Sequence, residues 1–154
     1  KPHWVYHDPK TKDNYLEHME LVPNVKESLL RLKEKGMTLV LISASPYPAE
    51  VANKELREKL EFFGLLDLFH LYRSSPGDRP EGKGELMLEI LESLHLTKDG
   101  ALMVGDSYFY DYLAAKSVGV DAFFIENESA KMPEEIPNDL KVIKEVNDLL
   151  NILE

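Results

Sequence analysis

The hydrophobic positions of this chain change period several times after residue 24. Over residues 25–35, Val25, Leu29, Leu30 and Leu32 recur at helical spacing among charged residues, and Gly36 supplies a stop. Residues 37–43 (MTLVLIS) form a nearly unbroken apolar run rich in β-branched side chains, the pattern of a strand covered on both faces. Pro46 and Pro48 interrupt the chain, and residues 49–63 read as a second amphipathic helix closed by Gly64. A short strand is expected over 68–72, a polar loop over 73–84 and a third helix over 85–94. Residues 101–104 (ALMV) and 121–125 (DAFFI) are two further buried strands, separated by a helix over 111–118 that Gly119 stops. The spacing of Leu140, Ile143, Val146, Leu149, Leu150 and Leu153 predicts a last helix over 140–153.

Helices alternating with short buried strands predict one α/β domain over residues 1–154, a doubly wound parallel sheet with helices on both faces. In such folds the chemistry lies in loops beyond the carboxyl ends of the strands. Those loops are expected to start at Ser43, Arg73, Gly105 and Glu126. The first residues read differently. An aromatic run over 4–7 and the turn chemistry of residues 8–14 predict a small hairpin and lead-in over residues 1–22.

Composition narrows the classes of function. The 154 residues carry 28 Asp and Glu against 18 Lys and Arg, a formal net charge of -10. A surface that acidic repels phosphate backbones and anionic lipid, so neither nucleic acid nor a membrane is an expected partner. There is no Cys, which excludes disulfides, thiolate catalysis and Cys-based zinc sites. No apolar run reaches the roughly 18 residues of a membrane span, and a cytoplasmic setting is the expectation.

Several residues at the predicted strand ends could carry chemistry. Asp106 and Asp111, in Gly105-Asp106-Ser107-Tyr108-Phe109-Tyr110-Asp111, place two carboxylates just after the ALMV strand. Mg²⁺ takes oxygen ligands, usually one or two carboxylates with waters and substrate phosphate. The plainer alternative is that Asp106 caps the next helix and Asp111 is a solvated first-turn acid. Ser43 could donate its hydroxyl to a bound anion, with Ala44 and Ser45 continuing a substrate-binding loop, or it could serve only the turn before Pro46. Lys83, between Gly82 and Gly84, could reach over an anion or lie solvated on the surface. Residues 77–84 fit the phosphate-cradling pattern G-x-x-x-x-G-K, but Gly84 stands where a Ser or Thr is required. The five His residues have no metal-binding spacing; His70 falls in an expected core strand. There is no G-x-S-x-G to support a serine hydrolase.

The order of these pieces resembles the haloacid dehalogenase superfamily of phosphatases. The resemblance rests on LVPNVKESLLRLKEKGMTLVLISAS, GKGELMLEIL and ALMVGDSYFYDYLAAKSVGV, and covers about residues 21–127. The family's acidic motif is Gly-Asp, three or four residues and a second Asp. The resemblance implies that Ser43 binds the transferring phosphoryl group and Lys83 offsets its charge. It implies that Asp106 and Asp111 hold Mg²⁺, and that the substrate is a phosphomonoester hydrolysed through an aspartyl-phosphate. The loop after Ser43 and the short hairpin imply a small, cap-less, magnesium-dependent phosphatase. Trp4, Tyr6, Tyr47 and Tyr108 could contact substrate or pack in the core.

The family's first motif, Asp-x-Asp at the end of an apolar strand, has no match here. Asp8 is the nearest candidate, with Lys10 where the second Asp belongs. The alternatives are a nucleophile strand upstream of Lys1 or a non-catalytic, scaffold-like member. Without that strand, the strands ending near Ser43 and Val104 are each expected to lack a pairing partner.

Overall fold

The computed structural model describes residues 16, 17, 19–76, 79, 81–128, 130 and 132–153. The expected hairpin, with Trp4, Tyr6 and Asp8, therefore lies outside the described residues. The elements in order are α1 (Val25–Glu34), β1 (Val40–Ser45), α2 (Ala49–Phe62), β2 (Leu71–Pro76), α3 (Glu81–Ser93), β3 (Leu102–Gly105), α4 (Ala114–Ser117), β4 (Asp121–Ile125), β5 (Val142–Ile143) and α5 (Asp148–Ile152). A π-helical turn over Tyr108–Leu113 leads into α4.

All strand pairs are parallel, as expected of a doubly wound fold. Among the described residues they form two sections, β1–β2 and β3–β4–β5. Each strand sends alternate side chains to opposite faces. Ala122 and Phe124 of β4 pack with Met87 of α3, Ala114 and Ala115 of α4, and Ile42 of β1. Phe123 and Ile125 pack on the other face with Leu32 of α1 and Leu149 and Leu150 of α5. Leu56 and Leu60 of α2 cover Leu41 and Tyr72 of the first section. Helices thus lie on both faces.

The two strands expected to lack a partner, β1 and β3, are each hydrogen-bonded on one side only among the described residues. Every residue of both is half-buried, whereas β4, paired on both sides, completely buries Ala122 and Phe124. The outer edge of β2 is closed differently, by Asn53 of α2, whose Oδ1 accepts the Ser74 N–H at 2.9 Å.

Four expectations shift. The parallel register pairs Val40 with Leu71 and continues to Ser45 and Pro76, so β1 runs two residues past Ser43 and β2 occupies the expected loop. His70 lies exposed before β2 instead of in a core strand. Helix α3 starts four residues early because Gly82 and Gly84 serve close packing: a Cβ on Gly84 would lie 2.8 Å from the Ala114 carbonyl oxygen. The expected helix over 140–153 splits. The edge of β4 recruits residues 141–143, with the Phe124 N–H donating to Lys141 O and the Glu126 N–H to Ile143 O. The helix restarts only at Asp148, whose Oδ2 accepts the N–H groups of Lys144 and Glu145. Pairing an exposed strand edge outweighs helical periodicity there.

Candidate active site

Lys83, Asp106 and Asp111 come from elements packed closely together at the carboxyl end of β3. Lys83 sits in the first turn of α3, and its ammonium lies 2.5 Å from Asp111 Oδ1. Both residues are buried, at 8% and 4% exposure. Burying two charges is costly unless they pair and fill their remaining hydrogen-bonding capacity. Asp111 does so with its second oxygen, which accepts the Ser107 N–H at 3.0 Å.

The chain between the two acids explains how Asp111 reaches this position. The Ser107 hydroxyl caps the turn by accepting the Tyr110 N–H at 3.0 Å. The Ser107 carbonyl accepts from both Asp111 N–H (3.0 Å) and Tyr112 N–H (3.1 Å), the second being an i→i+5 bond. The widened π turn absorbs the fourth intervening residue and turns the Asp111 side chain back over the strand end. Gly105 is required beneath it, because a Cβ there would overlap the Asp111 carboxylate. Tyr108 is buried, stacks on Tyr112 and meets Phe124 edge-on, so packing accounts for this aromatic.

Asp106 has a different environment. It is exposed at the end of β3, and its Oδ2 accepts a hydrogen bond from Asn127 Nδ2 at 3.2 Å. Its partner among the described residues is neutral. Among the described residues no group of three or more His, Asp or Glu gathers into a metal cage. One solvent-facing carboxylate with water and phosphate suits Mg²⁺, a hard ion that keeps several of its waters. Asp111, expected as the second ligand, accepts one hydrogen bond on each oxygen, from Lys83 and from the Ser107 N–H, and keeps a further lone pair on each.

Ser43 lies within β1, beside Ser74 of β2, and the Ser75 hydroxyl donates to its carbonyl at 3.5 Å. Among the described residues no hydrogen bond joins its hydroxyl to Lys83, Asp106 or Asp111. Ser43, Ala44 and Ser45 line a cavity of about 180 Å³ together with Ser74 and with Glu55 and Lys59 of α2. The Ser45 hydroxyl accepts the Tyr47 N–H at 3.2 Å and so shapes the turn into α2. The G-x-x-x-x-G-K pattern does not describe a phosphate cradle: Gly82, Lys83 and Gly84 are buried in the first turn of α3. The residues missed in the sequence are Ser107 and Asn127. Asn127 falls in a loop marked for chemistry, but its contact with Asp106 spans 21 residues.

The family profile described as haloacid dehalogenase-like hydrolase matches residues 4–125, most of the chain. The chain belongs to this family. Similar proteins include a ribulose-1,5-bisphosphate 5-phosphatase of Halopiger xanaduensis. It is 31% identical over 73% of this chain and 45% of its own length. A glyceraldehyde 3-phosphate phosphatase of Pyrococcus furiosus is 28% identical over 99% of this chain and 63% of its own length. Among solved structures, a haloacid dehalogenase-like phosphatase of Thermococcus onnurineus superposes with a TM-score of 0.73 at 26% identity. The match covers 94% of this chain and 63% of that one. The chain therefore spans about half to two-thirds of the length of these relatives. Among the described residues no helix is long and apolar enough to cross a membrane.

Proposed function

We propose that the chain carries the phosphate-handling machinery of a Mg²⁺-dependent phosphomonoester hydrolase. The observation that carries this reading is the buried Lys83–Asp111 pair standing beside an exposed, cation-ready Asp106. Phosphoryl transfer asks mainly for positioning and charge neutralisation. Lys83 supplies a fixed positive charge, and Asp111 holds its ammonium at the strand end. Ser43, with Ala44 and Ser45, binds phosphate oxygens at the end of β1. Asp106 holds Mg²⁺, which when bound neutralises charge on the phosphoryl oxygens.

The chain contains no Asp-x-Asp. The reading places the carboxylate nucleophile on a further strand beside the edges of β1 and β3 that are unpaired among the described residues, where it forms the aspartyl-phosphate. The names of the two sugar-phosphate phosphatases support a small phosphorylated carbohydrate as substrate.

The test is hydrolysis of p-nitrophenyl phosphate by the full-length protein, with Mg²⁺ and with chelator. Asp106→Asn is expected to abolish Mg²⁺-dependent turnover, and Lys83→Ala to depress kcat more than it raises KM. Turnover and Mg²⁺ dependence unchanged in Asp106→Asn would refute the assignment. The second reading is a phosphate-binding scaffold without turnover. That reading predicts calorimetric binding of Mg²⁺ and phosphate with no hydrolysis at any Mg²⁺ concentration.

A further inference from the structure

The register of β3 and β4 pairs Gly105 with Phe124, so the chain leaves both strands side by side. Asp106 follows one strand end and Asn127 the other. The Asn127 Nδ2 donates to Asp106 Oδ2 at 3.2 Å. Its own Oδ1 accepts the Ala130 N–H at 2.8 Å. A carboxylate needs a donor and a backbone N–H needs an acceptor, so both bonds fix the same orientation of the amide. The loop carrying it is anchored on both sides. The Glu126 N–H donates to Ile143 O at 2.9 Å, and Ala130 packs against the core of Met87, Tyr108 and Phe124.

From this geometry we propose that Asn127 is a positioning residue for Asp106. It occupies Oδ2, fixes the rotamer of an otherwise exposed side chain, and leaves Oδ1 to face the cation. The inference rests on Asp106 holding Mg²⁺. Partners that orient a metal ligand typically govern about 10–100-fold in metal affinity or activity. Asparagine is suited to the place because Asp would set a second carboxylate against Asp106, and Ala would leave the Ala130 N–H without its side-chain acceptor.

Asn127→Ser separates the two bonds. Its hydroxyl can still accept from Ala130 in a local turn but is too short to reach Asp106. The readout is Mg²⁺-dependent thermal stabilisation of the full-length protein, with the metal-free melting temperature measured alongside. Asn127→Ser is expected to raise the Mg²⁺ midpoint about 10-fold, with turnover largely recovered at saturating Mg²⁺. The metal-free melting temperature should barely move. In an Asp106→Asn background the same substitution should shift nothing further.

An unchanged midpoint in Asn127→Ser, when Asp106→Asn has lost its Mg²⁺ response, overturns the positioning role and leaves the metal assignment standing. A lower metal-free melting temperature with an unchanged midpoint makes Asn127 a loop residue only, and also overturns the inference. A native Mg²⁺ response in Asp106→Asn removes the metal assignment itself.

Discussion

Removing the Lys83 ammonium leaves the Asp111 carboxylate buried and charged without its partner. The side chains are 10% and 6% exposed, so the pair belongs with buried ion pairs. Breaking such a pair from one side costs about 3–5 kcal/mol. An exposed pair such as Arg57–Glu61, at 57% and 50%, is worth about 0–1 kcal/mol. Asp111 keeps the Ser107 N–H, which holds Lys83→Met toward the lower end of the range. For a domain of this size each kcal/mol moves the melting temperature by about 2–4 °C, so a loss near 3 kcal/mol gives an expected fall of about 6–12 °C.

The double variant Lys83→Met/Asp111→Leu removes both charges and keeps the volume apolar. Such replacements of buried pairs are often neutral or stabilising. Here the Ser107 N–H would lose its acceptor, a penalty of about 1–3 kcal/mol. The double variant should therefore recover much, but not all, of the loss in Lys83→Met, while remaining inactive. Calorimetric melts and urea midpoints of the full-length protein measure this directly. A melting temperature unmoved by Lys83→Met would mean that the pair is solvated. A double variant as unstable as the single would mean that the two charges are not coupled.

Gly84→Ala gains about 1 kcal/mol in helix propensity but drives a Cβ to 2.8 Å from Ala114 O and 3.1 Å from Val118 Cγ1. With overpacking at about 1–3 kcal/mol, net destabilisation in urea is expected, and a gain would refute the close packing of α3 on α4. Phe124→Ala empties a completely buried site and should cost about 3–5 kcal/mol in the same assay. Lys141, hydrogen-bonded to Asp121 at 2.6 Å, holds that carboxyl below its usual range. A depressed carboxyl stabilises the fold above its unfolded pKa and loses that contribution as pH falls through the folded value. Thermal melts should therefore show Lys141→Met less stable than native protein near neutral pH, with the two curves converging in acid. A gap that persists below the titration of Asp121 would rule the linkage out.

Much of the architecture was legible because it depends on local pattern. The runs ending in β1, β3 and β4 are apolar over lengths too short for a helix, and the stops of α1 and α2 are glycines at positive φ, Gly36 and Gly64. Expectation and structure part where a distant partner decides the outcome. Residues 140–153 carry good helical spacing, yet the free edge of β4 claims residues 141–143. Glycines at 82 and 84 read as a loop from composition, but they permit α3 to approach Pro76 and α4. No single-strand or single-helix period encodes either effect.

The site shows the same limit at the scale of one motif. Asp106 and Asp111 are chemically identical and five residues apart, so spacing makes them look like two ligands for one ion. Their partners separate them. Asp111 is turned inward by the π turn and met by an ammonium and a backbone N–H, which use both oxygens. Asp106 faces solvent and meets a neutral amide. Among the described residues, Asp111 has a charged partner and Asp106 a neutral one, so the two carboxylates present different fields to a cation. Asp111 is thus the counter-ion of Lys83, and the proposed metal role falls first on Asp106. On the proposed reading, a cation at this strand end would answer to Asp106 and to the amide hydrogen-bonded to it.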